Sequence, residues 1–229
     1  MNQEYLEFAK KLARDAGEIM LKYFNQRDIS HYKGDDTIVM LADTEINQMV
    51  IDRVRVTYPD HGVYGEEDSF GHDGEPQVGV VYDPFTENLY TAVKGEGAHK
   101  NGEKIHVNSF SYNDKQEISN FDLWPEAEIY SEVSSALSVL QKKSYLVSVG
   151  SCIHACMLVA EGSFVSQIFA GTKGKNVDIA AAKVIVEEAG GKVTDIFGNE
   201  QRYDRGIKGA IVSNGLVHDE IVRIIKGPI

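Results

Sequence analysis

Three groups of carboxylates stand where a fold could put them to work. Asp43 lies at the expected start of a helix. Glu66 and Glu67 follow a short strand and a glycine. Asp178 opens a helix after a glycine-containing loop. Element ends of this kind are where binding groups collect. Hard cations take several such oxygens, and magnesium keeps waters that a phosphate can displace. Ions clustered that way activate water and neutralise phosphate charge, so the chemistry in view is metal-assisted phosphate hydrolysis. Each group alone also has a plainer role. Asp43 serves equally as an N-cap, Asp178 as a partner for a helix dipole, and Glu66–Glu67 as a solvated loop edge.

Other chemistries find little support. The seven histidines form no H-x-x-x-H or H-E-x-x-H pair, which argues against a zinc helix. There is no G-x-S-x-G elbow and no Walker A loop. Gly95-Glu96-Gly97 reads as a turn between strands, and His154 as a packed or surface histidine of a helix. Cys152 and Cys156, the two cysteines of the chain, share a helical face and read as small core residues.

The elements that must hold the carboxylates follow from periodicity. Tyr5, Phe8, Ala9, Leu12, Ala16, Ile19, Met20 and Tyr23 form one face of a long helix. Residues 25–36 are polar and rich in turn formers, and 37–41 read as a short strand. Asp43 or Thr44 then caps a second helix that Tyr58-Pro59-Asp60 stops. Val63-Tyr64 is a brief strand before Gly65-Glu66-Glu67. Residues 78–82 and 89–93 read as strands joined by a turn, and Asn101-Gly102 as a hairpin turn leading into a strand at 105–107. The second half predicts strands at 117–123, 145–149, 164–169, 192–196 and 210–213. Helices are expected at 129–141, 151–161, 178–189 and 216–226, the third closed by Gly190-Gly191. The alternation implies sheets packed against helices. A boundary near 110–117 divides an N-terminal α+β half, 1–112, from a C-terminal α/β half, 113–229, together one compact unit.

The 229 residues suffice to bury a core without disulfide or zinc staples. Their net charge of −12 repels phosphate backbones, so nucleic-acid binding is disfavoured and a bound cation gains interest. The first residues lack the apolar region of a signal peptide, and no window of eighteen apolar residues occurs, so no membrane span is expected. With two cysteines and no disulfide framework, the expected setting is reducing and cytoplasmic.

Several runs in collinear order resemble the inositol monophosphatase family. They are residues 33–43, residues 58–67 ending in Gly65-Glu66-Glu67, and Gly79-Val80-Val81-Tyr82-Asp83-Pro84. Leu89-Tyr90-Thr91-Ala92 and residues 95–102 follow, then Gly150-Ser151-Cys152, residues 177–182 and residues 187–195. The resemblance covers nearly the whole chain. It implies an alternating α/β/α/β/α layered sandwich and magnesium-dependent hydrolysis of a small phosphorylated metabolite such as an inositol monophosphate. It also implies lithium as an inhibitor and a homodimer. By that match Glu66 is a metal ligand that helps activate the attacking water, and Glu67 supports it. Asp178 holds a second metal, Asp43 orients the water-activating threonine, and Gly150 and Ser151 belong to the substrate-binding loop.

The chain also departs from the family pattern. The family carries a D-P-x-D-G-T motif between its Gly-Glu-Glu loop and its Gly-Val-Val-Tyr strand. That motif supplies two metal aspartates and the threonine. Here the interval holds only Asp68 to Val78, without the motif, and the join falls near residues 72–76. Asp83-Pro84-Phe85-Thr86 does not replace it, because it aligns with the next strand. Losing the motif would remove a strand from inside a sheet and leave its neighbours with unpaired backbone groups. Met40, Val177 and Gly171 stand where the family has threonine, tryptophan and glutamate. The competing expectation is therefore an inactive relative acting as a binding or regulatory protein.

Overall fold

The computed structural model describes residues 2–26, 29–32, 38–65, 69–70, 75–114, 117–123, 130–170, 177–203 and 206–227. The first half runs α1 (Asn2–Tyr23), β1 (Ile29–Tyr32), β2 (Ile38–Met40), α2 (Leu41–Thr57), β3 (Val63–Tyr64) and β4 (Ser69–Phe70). It continues with β5 (Val78–Asp83), β6 (Asn88–Val93), β7 (Gly97–Lys100) and β8 (Glu103–Lys104). The second half runs β9 (Ile118–Leu123), α3 (Tyr130–Leu140), β10 (Tyr145–Val147), α4 (Cys152–Ala160) and β11 (Ser166–Ala170). It ends with α5 (Val177–Glu188), β12 (Lys192–Thr194), β13 (Gly209–Ser213) and α6 (His218–Lys226).

Two main sheets result. One is antiparallel in the order β5-β6-β7-β8; the other is mixed, in the order β10-β9-β11-β13-β12. Helices α1 and α2 lie outside the first sheet, α4 and α5 lie between the two, and α3 and α6 cover the far face of the second. This is the expected α/β/α/β/α sandwich. The larger core lies around α4 and α5, where Tyr90, Ala92 and Ala98 of the first sheet meet Met157, Ile185, Phe169 and Val212. A second core places Val133, Leu140, Ile221 and Ile225 against Phe121, Ile168 and Ile211. No helix among the described residues is long and apolar enough to cross a membrane.

Strand β5 is squeezed between two helices, and two glycines make room. A Cβ on Gly17 of α1 would come within 2.7 Å of the Tyr82 ring, and one on Gly79 of β5 within 2.6 Å of the Ala181 carbonyl oxygen in α5. Helix α2 is tied to α1 by the Arg53–Asp15 ion pair, by Lys22 and Tyr23 donating to Glu45 at 3.0 and 2.7 Å, and by Tyr58 just past α2, which meets Tyr5 and Phe8 edge to face and stacks on His61.

Local expectations need correction at several places. Residues 68–77 read as a loop in the sequence, yet Ser69–Phe70 forms β4 against β3. Residues 29–32 lie in the polar stretch read as turns, yet form β1 against β2. Strand β2 ends at Met40, and Leu41 already belongs to α2. Gly97–Lys100 is a strand, because its backbone pairs with β6 as well as with β8. Residues 105–107 form no strand: Ile105 N–H donates to Ala98 O and Val107 N–H to Ala189 O, so the bonds go to two different elements.

Candidate active site

Each expected site residue within the described part lies at or beside the start of a helix. Asp43 is in the first turn of α2 and is not its N-cap, and neither is Thr44. Met40 is the cap, with extended backbone, and its N–H donates to Asp43 Oδ2 at 2.9 Å. The chain passes from strand to helix without a loop, so the carboxylate reaches back to a free amide of the helix start. Ser151 caps α4, its Oγ accepting from His154 N–H at 3.4 Å, and Gly150 before it has φ of 75°. Asp178 is the second residue of α5. Its side chain lies outside the described structure, as do Glu66, Glu67, Gly171 and residues 72–74 at the join.

Contacts run from the start of α2 to the β5–β6 turn. The α2 start holds the end of α1 through Glu45. The rings of Phe24, just past α1, and Phe85, in the β5–β6 turn, meet at 4.5 Å. That turn is built on Asp83, which accepts from Thr86 Oγ at 2.6 Å and Phe85 N–H at 2.9 Å. Burial pulls the Asp83 pKa up. The Thr86 hydroxyl, the Phe85 and Thr86 amides and the nearby His154 outweigh it and hold the carboxyl below its ordinary value. Asp83-Pro84-Phe85-Thr86 therefore spends its Asp83 oxygens on its own turn and does not replace the missing motif. His154 is exposed at the α4 start and faces this turn.

Asp178 approaches from another direction. Gly79 touches Ala181, one turn into α5, so the helix begins over the first residues of β5. That point lies about 13 Å along the strand from Asp83. Strand β5 is the border of its sheet, with β6 its sole strand neighbour among the described residues. Among the described residues, no three His, Cys, Asp or Glu side chains gather as metal ligands do. A cleft of about 480 Å³ lies between Tyr112, Glu117, Lys142 and Tyr145. This is the amino end of β9 and β10, away from Gly150–Ser151, and the chemistry does not point to it.

Two polar clusters escaped sequence reasoning. Glu161, at the end of α4, accepts from Tyr90 Oη at 2.8 Å, Lys100 Nζ at 2.6 Å and Ser163 Oγ at 3.1 Å. It pins the middle helices to the first sheet. Burial and the Glu161 charge push the Tyr90 hydroxyl up to about 12. No sequence signal marks Glu161. The second cluster, Asn120, Asp122 and Gln167, lies on the face of β9 and β11 that also carries Phe169 of the larger core. Its signal was available: Asn120 and Asp122 alternate within a strand, on one face.

Comparison with known proteins adds the last finding. The family model described as "Inositol monophosphatase family" matches residues 1–71 and 69–227, two stretches that meet where the expected motif is wanting. A fructose-1,6-bisphosphatase/inositol-1-monophosphatase of Thermotoga maritima is 27% identical, covering 96% of this chain and 95% of its own. Its alignment runs over 255 positions against the 229 residues here, so the relative carries residues with no counterpart in this chain. A Nus factor SuhB of Pasteurella multocida is 27% identical over 88% of each chain. Among solved structures, a Thermotoga maritima IMPase superposes with a TM-score of 0.83 at 25% identity, covering 97% of both chains. Matched from its first residue to residue 227, the chain belongs to the inositol monophosphatase family.

Proposed function

We propose that this protein is a magnesium-dependent phosphomonoesterase acting on a small phosphorylated metabolite of the inositol monophosphate type. The observation that carries the reading is the family match over residues 1–71 and 69–227; the motif resemblance supplies Glu66, Gly150–Ser151 and Asp178 as its expected site residues. In this reading Glu66 and Asp178 hold metal, with Glu67 behind Glu66. Bound magnesium would supply water activation and charge neutralisation. The α4 start offers amides to a phosphate, with Ser151 beside them, as helix N-termini do. Asp43 steadies the first turn of α2. A homodimer in a reducing, cytoplasmic setting belongs to the same reading, and Cys152 and Cys156, both without a disulfide, fit it.

A second reading rests on a separate observation. The central metal motif is absent from the sequence, and β5 borders its sheet where that motif's strand would be expected. A relative so altered would serve as a binding or regulatory protein. Phosphate release from inositol monophosphate, with and without magnesium, separates the two. Release that depends on magnesium supports the enzyme. No release at high enzyme, with a thermal melt indifferent to magnesium, supports the binding protein.

A further inference from the structure

The ladder between β9 and β10 ends at the pair Asn120–Val147, and side chains then take over from backbone. Ser148 Oγ donates to Asp122 Oδ1 at 2.8 Å, and Val149 N–H donates to Asn120 Oδ1 at 2.9 Å. Behind them, Asp122 Oδ2 accepts from Asn120 Nδ2 at 2.8 Å and from Gln167 Nε2 at 2.9 Å, while Gln167 Oε1 accepts from Asn120 Nδ2. Asn120 and Gln167 are fully buried. Every polar side-chain atom of the three residues has a partner, so the cluster is closed.

The segment it holds has little else to fix it. Ser148, Val149 and Gly150 are exposed, so packing does not set their course. Yet they lead directly to Ser151 and the first turn of α4. Their loop follows the carboxyl end of β10, beside the ends of β9 and β11, where crossovers α3 and α4 leave to opposite faces. Crevices at such points bind ligands in α/β sheets.

We propose that Asp122, with Asn120 and Gln167, is a positioning group for the Gly150–Ser151 loop. It sets how tightly a phosphorylated ligand is held at the α4 start without touching that ligand. The inference rests on the reading of Gly150–Ser151 as a binding loop. Both Asp122 oxygens already accept bonds, from Ser148 at Oδ1 and from Asn120 and Gln167 at Oδ2, so its effect on the loop runs through Ser148 and its neighbours. Aspartate at this position is replaceable by asparagine: the amide oxygen would accept from Asn120 and Gln167, and its NH2 would donate to Ser148 Oγ.

The test uses D122A, D122N and the milder S148A in the full chain, with two readouts. One is KM and kcat for inositol monophosphate, with the affinity for inorganic phosphate measured alongside. The other is amide hydrogen exchange of residues 149–152. D122A should raise KM and weaken phosphate binding about tenfold, with kcat within about threefold, and speed exchange about tenfold. S148A should show about a third of that effect, and D122N should stay within about twofold of the parent. Loss of activity in D122N equal to that in D122A would overturn the proposal, because the charge would then act directly. Unchanged exchange and phosphate affinity in D122A would overturn it too. If the parent hydrolyses nothing, the phosphatase reading fails, while exchange and phosphate affinity still judge the positioning role.

Discussion

Strands β9 and β5 are both covered by helices on their two faces, but among the described residues only β9 lies inside its sheet. It runs between β10 and β11, and its polar end is taken up by the Asn120–Asp122–Gln167 cluster. Strand β5 reads V-G-V-V-Y-D, a nearly continuous apolar run of the kind found in internal strands. It has α1 on one face and α5 on the other, yet among the described residues it forms a border. Border strands are ordinarily short, charged or bulged. The difference teaches that β5 keeps the composition of a strand with two neighbours. That agrees with an alignment in which a relative carries residues this chain lacks.

The contrast can be broken most forcefully at Gly79. G79V would drive a side chain into the Ala181 carbonyl and part β5 from α5. It should cost about 3 kcal/mol or more in urea denaturation, because backbone on both sides must move. A cost under about 1 kcal/mol would show that β5 and α5 are not tightly joined.

The second sheet should instead reveal itself through pH. His218 is fully buried, with Thr194 Oγ1 at 2.9 Å from Nε2 and Ser213 Oγ at 2.8 Å from Nδ1. Burial, helped by Lys192, lowers its pKa to about 4. The unfolded histidine, near 6.5, then binds more protons between those values, so stability is full above about 6.5 and falls as pH drops toward 4. The loss from this group should be about 2 kcal/mol, read from urea midpoints at pH 7 and pH 4.5. A flat profile would mean that His218 is charged or exposed in the fold.

The mildest change lies at the join between the sheets. Y90F removes one donor from Glu161 and leaves Lys100 and Ser163 in place, so it should cost about 1 kcal/mol. An effect near zero would leave Lys100 as the pin.

These contrasts also show what the sequence could and could not tell. The helices of the second half were legible to within one or two residues, because apolar spacing and the Ser151 cap mark them. Strands β1 and β7 were not. I-S-H-Y and G-A-H-K carry weak patterns, and backbone pairing alone makes them strands. Asp43 was legible as a helix-start residue but was placed as the cap, since Met40 has no side chain that announces one. The carboxylates were legible from their places at element ends, and the motif match gave them roles; Glu66 and Glu67 lie beyond the described residues. Asn120 and Asp122 alternate on one face of β9, a pattern that ordinary polar residues of a short strand also give. Only their bonds to Ser148 and Val149 tie them to the candidate loop.

The claim that Glu66 and Asp178 hold metal for phosphate hydrolysis is tested most directly by phosphate release from inositol monophosphate at saturating magnesium, comparing the parent chain with E66Q. The account predicts magnesium-dependent release by the parent and a loss of about a hundredfold or more in E66Q. Release that is equal in the two proteins, or no release by the parent at any magnesium concentration, would contradict it.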